Sequence, residues 1–405
     1  MPATKQARED KSLKIHLPQL ERVDARLDMF LEEDQRQFII VRAHRYGVPI
    51  YEYCGGVSTN DYGIKQDTIS CVFSITKPVV AALTMKLLED GLWDIYEPVG
   101  NYIDSFKGEG RDGICIWHLL THTSGITDDG FAQHQLDFIE KEYGLTLPEN
   151  ASVEECRALE EQVREKMGID KDTGYFGSCE VFLRSFKPEK EPGQLMSYNS
   201  LGYAYLGKLI SRLSGMSIED YGREALFDPL GMKDTHFILP KEKWPRVAGR
   251  NDKCTDYDYM NSERCFNNDN GGGGMKSTVI DMCRFGDMLL GGGTIDGARV
   301  LSPASVREMG IDHNYRLTAT NPWDSWGLGF NVRSAKKDDA GVLRSAHSLE
   351  HGGWGGHKFM ADPERGVTIT MFTGEYRGDV FTGDHPKPRN IFYIPNNMII
   401  AALNQ

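Results

Sequence analysis

The chain has 405 residues and a formal net charge of −13 at pH 7, with 40% hydrophobic and 26% charged residues. That balance suits a globular protein with one large core or two smaller ones and excludes disorder as its general state. The negative charge argues against nucleic acid or an anionic membrane surface as a partner and leaves small molecules as the ligands to expect.

The first ten residues are polar and lack the apolar core of a secretory signal, and no apolar run reaches membrane-spanning length, so a cytoplasmic protein is expected, of a size that leaves oligomeric state open. Leu20, Val23, Leu27, Phe30 and Leu31 recur at helical spacing and predict an amphipathic first helix. β-like runs follow at 38–41 and 50–53, joined through Tyr46-Gly-Val-Pro49. Residues 68–73 read as a β-like approach to a helix that starts near Ser74 and stops before Gly91. Between 97 and 295 the signals are mostly helical, including 203–213 stopped by Gly215 and a new start at Ser217. Two stretches, 127–192 and 250–274, read as long irregular segments, and aromatics such as Tyr143, Tyr175 and Phe176 suit them to walling a ligand site. Beyond 295 come a β-like run at 328–332, a hairpin of 358–361 and 367–372 about the turn 362–366, and an apolar helix over 396–403. A helical segment, 97–295, thus interrupts an α/β unit made of 1–96 and 296–405.

Ser74 and Lys77 carry the strongest chemical signal. Three apart at a helix start, they share a face, and helical side chains lean towards the N-terminus, so the Lys77 amine can reach the Ser74 hydroxyl. Burial there lowers a lysine pKa, which sets a base beside a nucleophile. The spacing alone is not specific: it recurs from Ser334 to Lys337 in a polar run that reads as a surface turn. The plainer reading of Ser74 is a helix cap. His118 and His122 are four apart, but no Glu follows His118 and no third ligand is evident, so no metal and no cofactor is expected. The eight cysteines contain no Cys-x-x-Cys pair and read as free thiols.

Further segments extend the pattern: Trp117-His-Leu-Leu-Thr-His-Thr-Ser-Gly125, Pro192-Gly-Gln-Leu-Met-Ser-Tyr-Asn-Ser-Leu-Gly-Tyr203, Gly272-Gly-Gly-Met-Lys-Ser-Thr278 and His351-Gly-Gly353. With Ser74-Ile-Thr-Lys77 they resemble the serine β-lactamase and penicillin-recognising superfamily, in particular its class C-like branch of esterases, peptidases, amide hydrolases and acyltransferases. The resemblance implies an antiparallel sheet flanked by helices, built from both chain ends, with the inserted helical domain beside it and the active site between them. It implies Ser74 as nucleophile, Lys77 as its base and Tyr198 as a second acid/base group. Backbone N–H groups of Ser74 and Trp354 form the implied oxyanion hole, and His351, Gly352, Gly353 and Ser200 the implied substrate-binding positions. Two departures matter. Ser200 occupies the place of the amide in the family's Tyr-x-Asn motif, and His351 replaces the lysine of its Lys-Thr-Gly motif, removing a fixed charge. The resulting expectation is a serine hydrolase of small-molecule esters, with amides as a further substrate class, working through an acyl-Ser74 intermediate. The alternatives are an acyltransferase using the same acyl-enzyme, a β-lactamase or D-amino-acid peptidase/amidase, and a non-catalytic ligand-binding relative.

Overall fold

The architecture is a computed structural model that describes residues 3–33, 35–148, 151–168, 180–319, 325–334, 340–377 and 391–404. Its main sheet has six strands: β1 Arg36–Arg45, β2 Val48–Gly56, β3 Asn331–Val332, β4 Leu349–Gly353, β5 His357–Asp362 and β6 Val367–Glu375. Their order is β2-β1-β6-β5-β4-β3, with every neighbouring pair antiparallel. β1 pairs with β2, its successor in sequence, and with β6 from the far end of the chain. Both chain ends are therefore needed to close the sheet.

Alternate residues of a strand point to opposite faces, and in β1 both faces are apolar. Phe38 and Ile40 enter one core with Phe285, Phe359 and Phe372. Ile39, Val41 and Ala43 enter a second with Leu20, Val23, Leu27, Phe30 and Ile399. Helix Val279–Leu290 covers the first face, and helices Leu17–Glu32 and Tyr393–Ala401 cover the second. The first helix, the two opening strands, the hairpin and helix Leu201–Ser214, ended by Gly215 at φ 71°, form where the periodicity puts them.

Other expectations need correction. The described part of 127–192 is not irregular throughout: it contains helix Asp128–Tyr143, capped by Thr127, and helix Val153–Met167, opened by a Ser152/Glu155 capping box. The first buries only Phe131 and Ile139, too narrow an apolar stripe to register as periodic. Tyr175 and Phe176 lie outside the described residues. The stretch 250–274 contains short helices Tyr257–Met260 and Glu263–Phe266. Of 68–73 only Ser70–Cys71 is strand, paired with Lys276–Ser277, and of 328–332 only Asn331–Val332. The last helix starts earlier, at Tyr393, and stops at Ala401. Lys337 of the second Ser-x-x-Lys sequence lies outside the described residues.

Helix Val279–Leu290 meets the sheet so closely that a β carbon at Gly286 would lie 2.3 Å from Thr368 Cγ2, on the fully buried face of β6. Gly286→Ala should destabilise the protein by about 1–3 kcal/mol, the usual cost of overpacking. That exceeds the roughly 1 kcal/mol that alanine adds to a helix. The measurement is a urea midpoint at unchanged m-value, and a midpoint at or above that of the wild type would contradict this packing.

Candidate active site

The chain enters the site along Ser70–Cys71, turns at Phe73 with φ +46°, makes one 3-10 turn over Phe73–Ile75 and continues as helix Thr76–Glu89. A left-handed phenylalanine costs of order 1–3 kcal/mol and persists only where surroundings enforce it. Here Val72 N–H donates to the Met275 carbonyl at 3.0 Å, Thr76 Oγ1 accepts from Met275 N–H at 3.1 Å, and the Phe73 ring lies 6.3 Å from Tyr259. Ser74 consequently sits half-buried within the turn. The N-cap position falls to Ile75, which makes no side-chain cap bond, so capping does not account for Ser74.

Lys77 has no solvent exposure. Its Nζ lies 3.1 Å from Ser74 Oγ, 3.3 Å from Ser200 Oγ and 2.7 Å from the Gly272 carbonyl, and 4.8 Å above the Tyr198 ring. All three hydrogen-bond partners are uncharged oxygens. Burial pushes the amine down to about 7, against a smaller opposing pull from the Asp128 carboxylate. Asp128 opens helix Asp128–Tyr143 and accepts the Ser200 N–H at 3.4 Å.

The Gly272 carbonyl reaches Lys77 because the glycine run slides between backbones. A β carbon at Gly271 would lie 2.6 Å from the Tyr203 carbonyl, and one at Gly272 would lie 2.7 Å from the Ser200 carbonyl. Asn199 is buried and structural: its amide donates to the Ile126 carbonyl at 2.9 Å and its Oδ1 accepts the Gly202 N–H at 2.9 Å. Ser200, one residue on, is exposed and meets Lys77.

Tyr198 is set in an aromatic surround, its ring 4.5 Å from His122, 5.6 Å from Trp326 and 6.1 Å from His351. His122, itself left-handed at φ +58°, accepts the Asn199 N–H on Nδ1 at 3.3 Å, which assigns its proton to Nε2. His351 faces the Gly352 carbonyl with Nδ1 at 2.6 Å, which assigns its proton to Nδ1. Burial, and then the Lys77 amine, drive both imidazoles well below the usual histidine range, so both are neutral. Each keeps a buried Nε2 without a partner among the described residues.

β4 runs past the turn that carries Ser74. A β carbon on Gly353 would lie 2.3 Å from the Val72 carbonyl, so only glycine permits this approach. Gly352 borders the Lys358 amine on the neighbouring strand, 3.1 Å from where a β carbon would stand. Trp354 follows with its side chain 43% exposed and its indole N–H donating to Asp256 at 2.7 Å, so the indole points away from Ser74's neighbours towards the 250–260 segment.

Ser74, Lys77, Tyr198, Ser200 and His351 therefore converge, while Trp354 contributes no side-chain contact to them. The sequence reading missed the Gly272 carbonyl, Asp128, Trp326 and the packing role of His122. The positive φ of His122 has no sequence signal, but its place in the Thr-His-Thr-Ser-Gly segment matched a motif. His118 caps helix Ile116–Leu120 through Nδ1 and the Cys115 N–H at 3.0 Å, and no group of three metal-type ligands occurs among the described residues. Chemically, a hydroxyl beside an amine that loses its proton near neutrality, with a phenol over that amine, can exchange one proton among three groups.

The chain is similar to a known family and to several known proteins. The beta-lactamase family profile matches residues 41–386. Protein Rv1367c of Mycobacterium tuberculosis is 28% identical over 66% of this chain and 67% of its own length. Esterase EstB of Burkholderia gladioli is 25% identical over 87% of this chain and 89% of its own length. Among solved structures, EstCE1, described as a hydrolase with promiscuous acyltransferase activity, superposes with a TM-score of 0.68 at 18% identity, covering 95% of this chain and 98% of its own. With its antiparallel sheet completed from both ends and the family profile matched over most of its length, the chain belongs to the beta-lactamase family of serine hydrolases.

Proposed function

We propose that the protein cleaves esters of small molecules, and amides more slowly, through an acyl-Ser74 intermediate. The observation that carries this is the buried Lys77 amine 3.1 Å from Ser74 Oγ with its pKa near 7. A base with that pKa is substantially neutral at physiological pH and still basic enough to take the serine proton. Ser74 Oγ attacks the carbonyl as its proton passes to Lys77. Tyr198, ring against the amine, delivers a proton to the leaving group and later draws one from the attacking water, while Lys77 returns its proton to Ser74 Oγ as the acyl group departs. The N–H groups of Ser74 and Trp354 receive the oxyanion, and the close packing of Gly353 on Val72 supports that pairing. Neutral His351 and exposed Ser200 line the acyl side, and the nearby Lys358 amine is engaged by Glu350 at 2.5 Å, so a substrate carboxylate finds no cation reserved for it, which favours neutral esters over penicillin-like acids. The relative named an esterase supports this order. Transfer to an alcohol uses the same acyl-enzyme, and the activity attributed to EstCE1 makes that the second reading. Six described cysteines are free thiols, which suits a cytoplasmic setting.

A fluorophosphonate probe should label the protein once, at Ser74, and not label Ser74→Ala; persistent labelling of that variant would remove the assignment. For a neutral ester, kcat/KM should rise through a single limb near pH 7 as Lys77 loses its proton. Asp128 opposes the depression, so Asp128→Asn should move that limb to lower pH, and an unmoved or raised limb would disprove the coupling.

Lys77 also predicts a stability signature. Its amine titrates near 7 when folded and 10.5 when unfolded, so between those values the unfolded chain binds more protons and stability rises with pH. Lys77→Met lacks this gain. Its melting temperature relative to the wild type should be highest below pH 7 and fall steadily towards pH 10, whereas a constant difference would mean that the amine is not depressed.

A further inference from the structure

Beside the site, and taking no part in the chemistry above, two thiols touch. Cys265 Sγ lies 3.0 Å from Cys71 Sγ, both in a small core with Ile69, Leu239, Val247 and Phe266, at 3% and 6% exposure. Both are free. A disulfide needs a sulfur separation of about 2.05 Å, so the pair is about 1 Å from bonding distance. The two thiols lie on the two segments that frame Lys77. Cys71 ends the short strand before the strained Phe73 and stands three residues ahead of Ser74. Cys265 lies in helix Glu263–Phe266, seven residues ahead of the Gly272 carbonyl that holds the amine.

We propose that Cys71 and Cys265 form a peroxide-responsive dithiol site, and that closing it to a disulfide displaces the backbone on both sides of Lys77 and slows chemistry at Ser74. The second half rests on the Ser74 reading given above. Reactivity is divided between the two sulfurs. The Cys265 S–H donated to Cys71, and then the nearby Lys276 and Arg250 cations, draw the Cys71 thiol down against its burial. Its hydrogen bond to Cys71, followed by burial, drives the Cys265 thiol up. Cys71 is thus the attacking sulfur and Cys265 the resolving one. The Cys71 thiolate attacks one peroxide oxygen, the O–O bond breaks, and the departing hydroxide takes a proton to leave as water. Cys265 then attacks the Cys71 sulfenic sulfur, the S–O bond breaks, and the thiol proton leaves with hydroxide as a second water. Two thiols are oxidised by two electrons and one peroxide is reduced to two waters.

The movement has a path to the site. Phe73 links Cys71 to Ser74 in a conformation that its surroundings must enforce, and its ring packs on Tyr259 in the segment that carries Cys265. Lys276, paired with Cys71 in register, holds the Asn268 carbonyl at 2.9 Å, and Asn268 begins the turn into the glycine run. A catalytic group misplaced by about 1 Å can lose up to about a hundredfold in rate.

The test uses the full chain, reduced and then exposed to hydrogen peroxide, with remaining thiols alkylated before mass analysis. The expected result is loss of the mass of two hydrogens, a linked peptide joining Cys71 to Cys265, and fluorophosphonate labelling slowed about tenfold and restored by dithiothreitol. Cys265→Ser should label at the untreated rate and keep that rate in peroxide. Full alkylation of both cysteines after peroxide, or a Cys71 that accumulates sulfinic acid with no linked peptide, would overturn the site. A linked peptide with unchanged labelling, or equal slowing in Cys265→Ser, would overturn its connection to Ser74. If the reduced protein takes up no fluorophosphonate, the serine reading fails and the connection with it, while the dithiol site is still decided by the linked peptide.

Discussion

The structure is organised around an unfavourable placement, a lysine amine sealed from water whose hydrogen-bond partners are all uncharged oxygens. Holding an ammonium there would cost several kcal/mol, and the helix start beneath it adds a positive dipole end that opposes the charge further. The amine's depressed pKa is the chemical form of that cost. It converts a residue that is ordinarily a permanent cation into a base at neutral pH. The rest of the fold has to keep water away from Nζ and hold the Asp128 carboxylate to a smaller, opposing pull, while supplying enough acceptors to keep the amine in place.

Glycine makes this possible, because the acceptors come from segments that must approach backbone to backbone. Gly271 and Gly272 pack against the start of helix Leu201–Ser214, and Gly353 packs against Val72. Any side chain at these positions would push the Gly272 carbonyl from Lys77 or β4 from the Ser74 turn. The strained residues have the same origin. Of the six non-glycine residues at positive φ among the described residues, Phe73 and His122 adjoin the site directly and Asp256 fastens Trp354 at its edge. Strain of this kind is tolerated where several contacts over-determine the backbone, as the Met275 bonds do for Phe73.

What could be read from sequence follows from the range of each interaction. Ser74 and Lys77 are three residues apart, so local helix geometry alone brings them together, and the strands of the β5–β6 hairpin are joined by one turn. Helix Leu17–Glu32 buries a continuous stripe and was legible, whereas helix Asp128–Tyr143 buries two residues and was not. The site's remaining contacts span long loops. Lys77 meets Gly272 across 195 residues and Ser200 across 123, and no local pattern encodes such pairings. Tyr198 and His351 could be placed only through the family's motifs. The Trp326 ring beside them had no such guide.

The histidine at position 351, where the family motif implies a lysine, also bears on Lys77. His351 is buried within the electrostatic reach of Lys77, whose amine disfavours charge on the imidazole. A permanent cation at that position would depress Lys77 further and would itself need an anionic partner to remain buried. The neutral imidazole avoids both, so the base is tuned by burial and the single opposing carboxylate of Asp128. Because burial is set by packing and not by a bound anion, Lys77 is already in its working range before any substrate arrives. A site that balances its charges by packing alone carries no built-in demand for an anionic ligand.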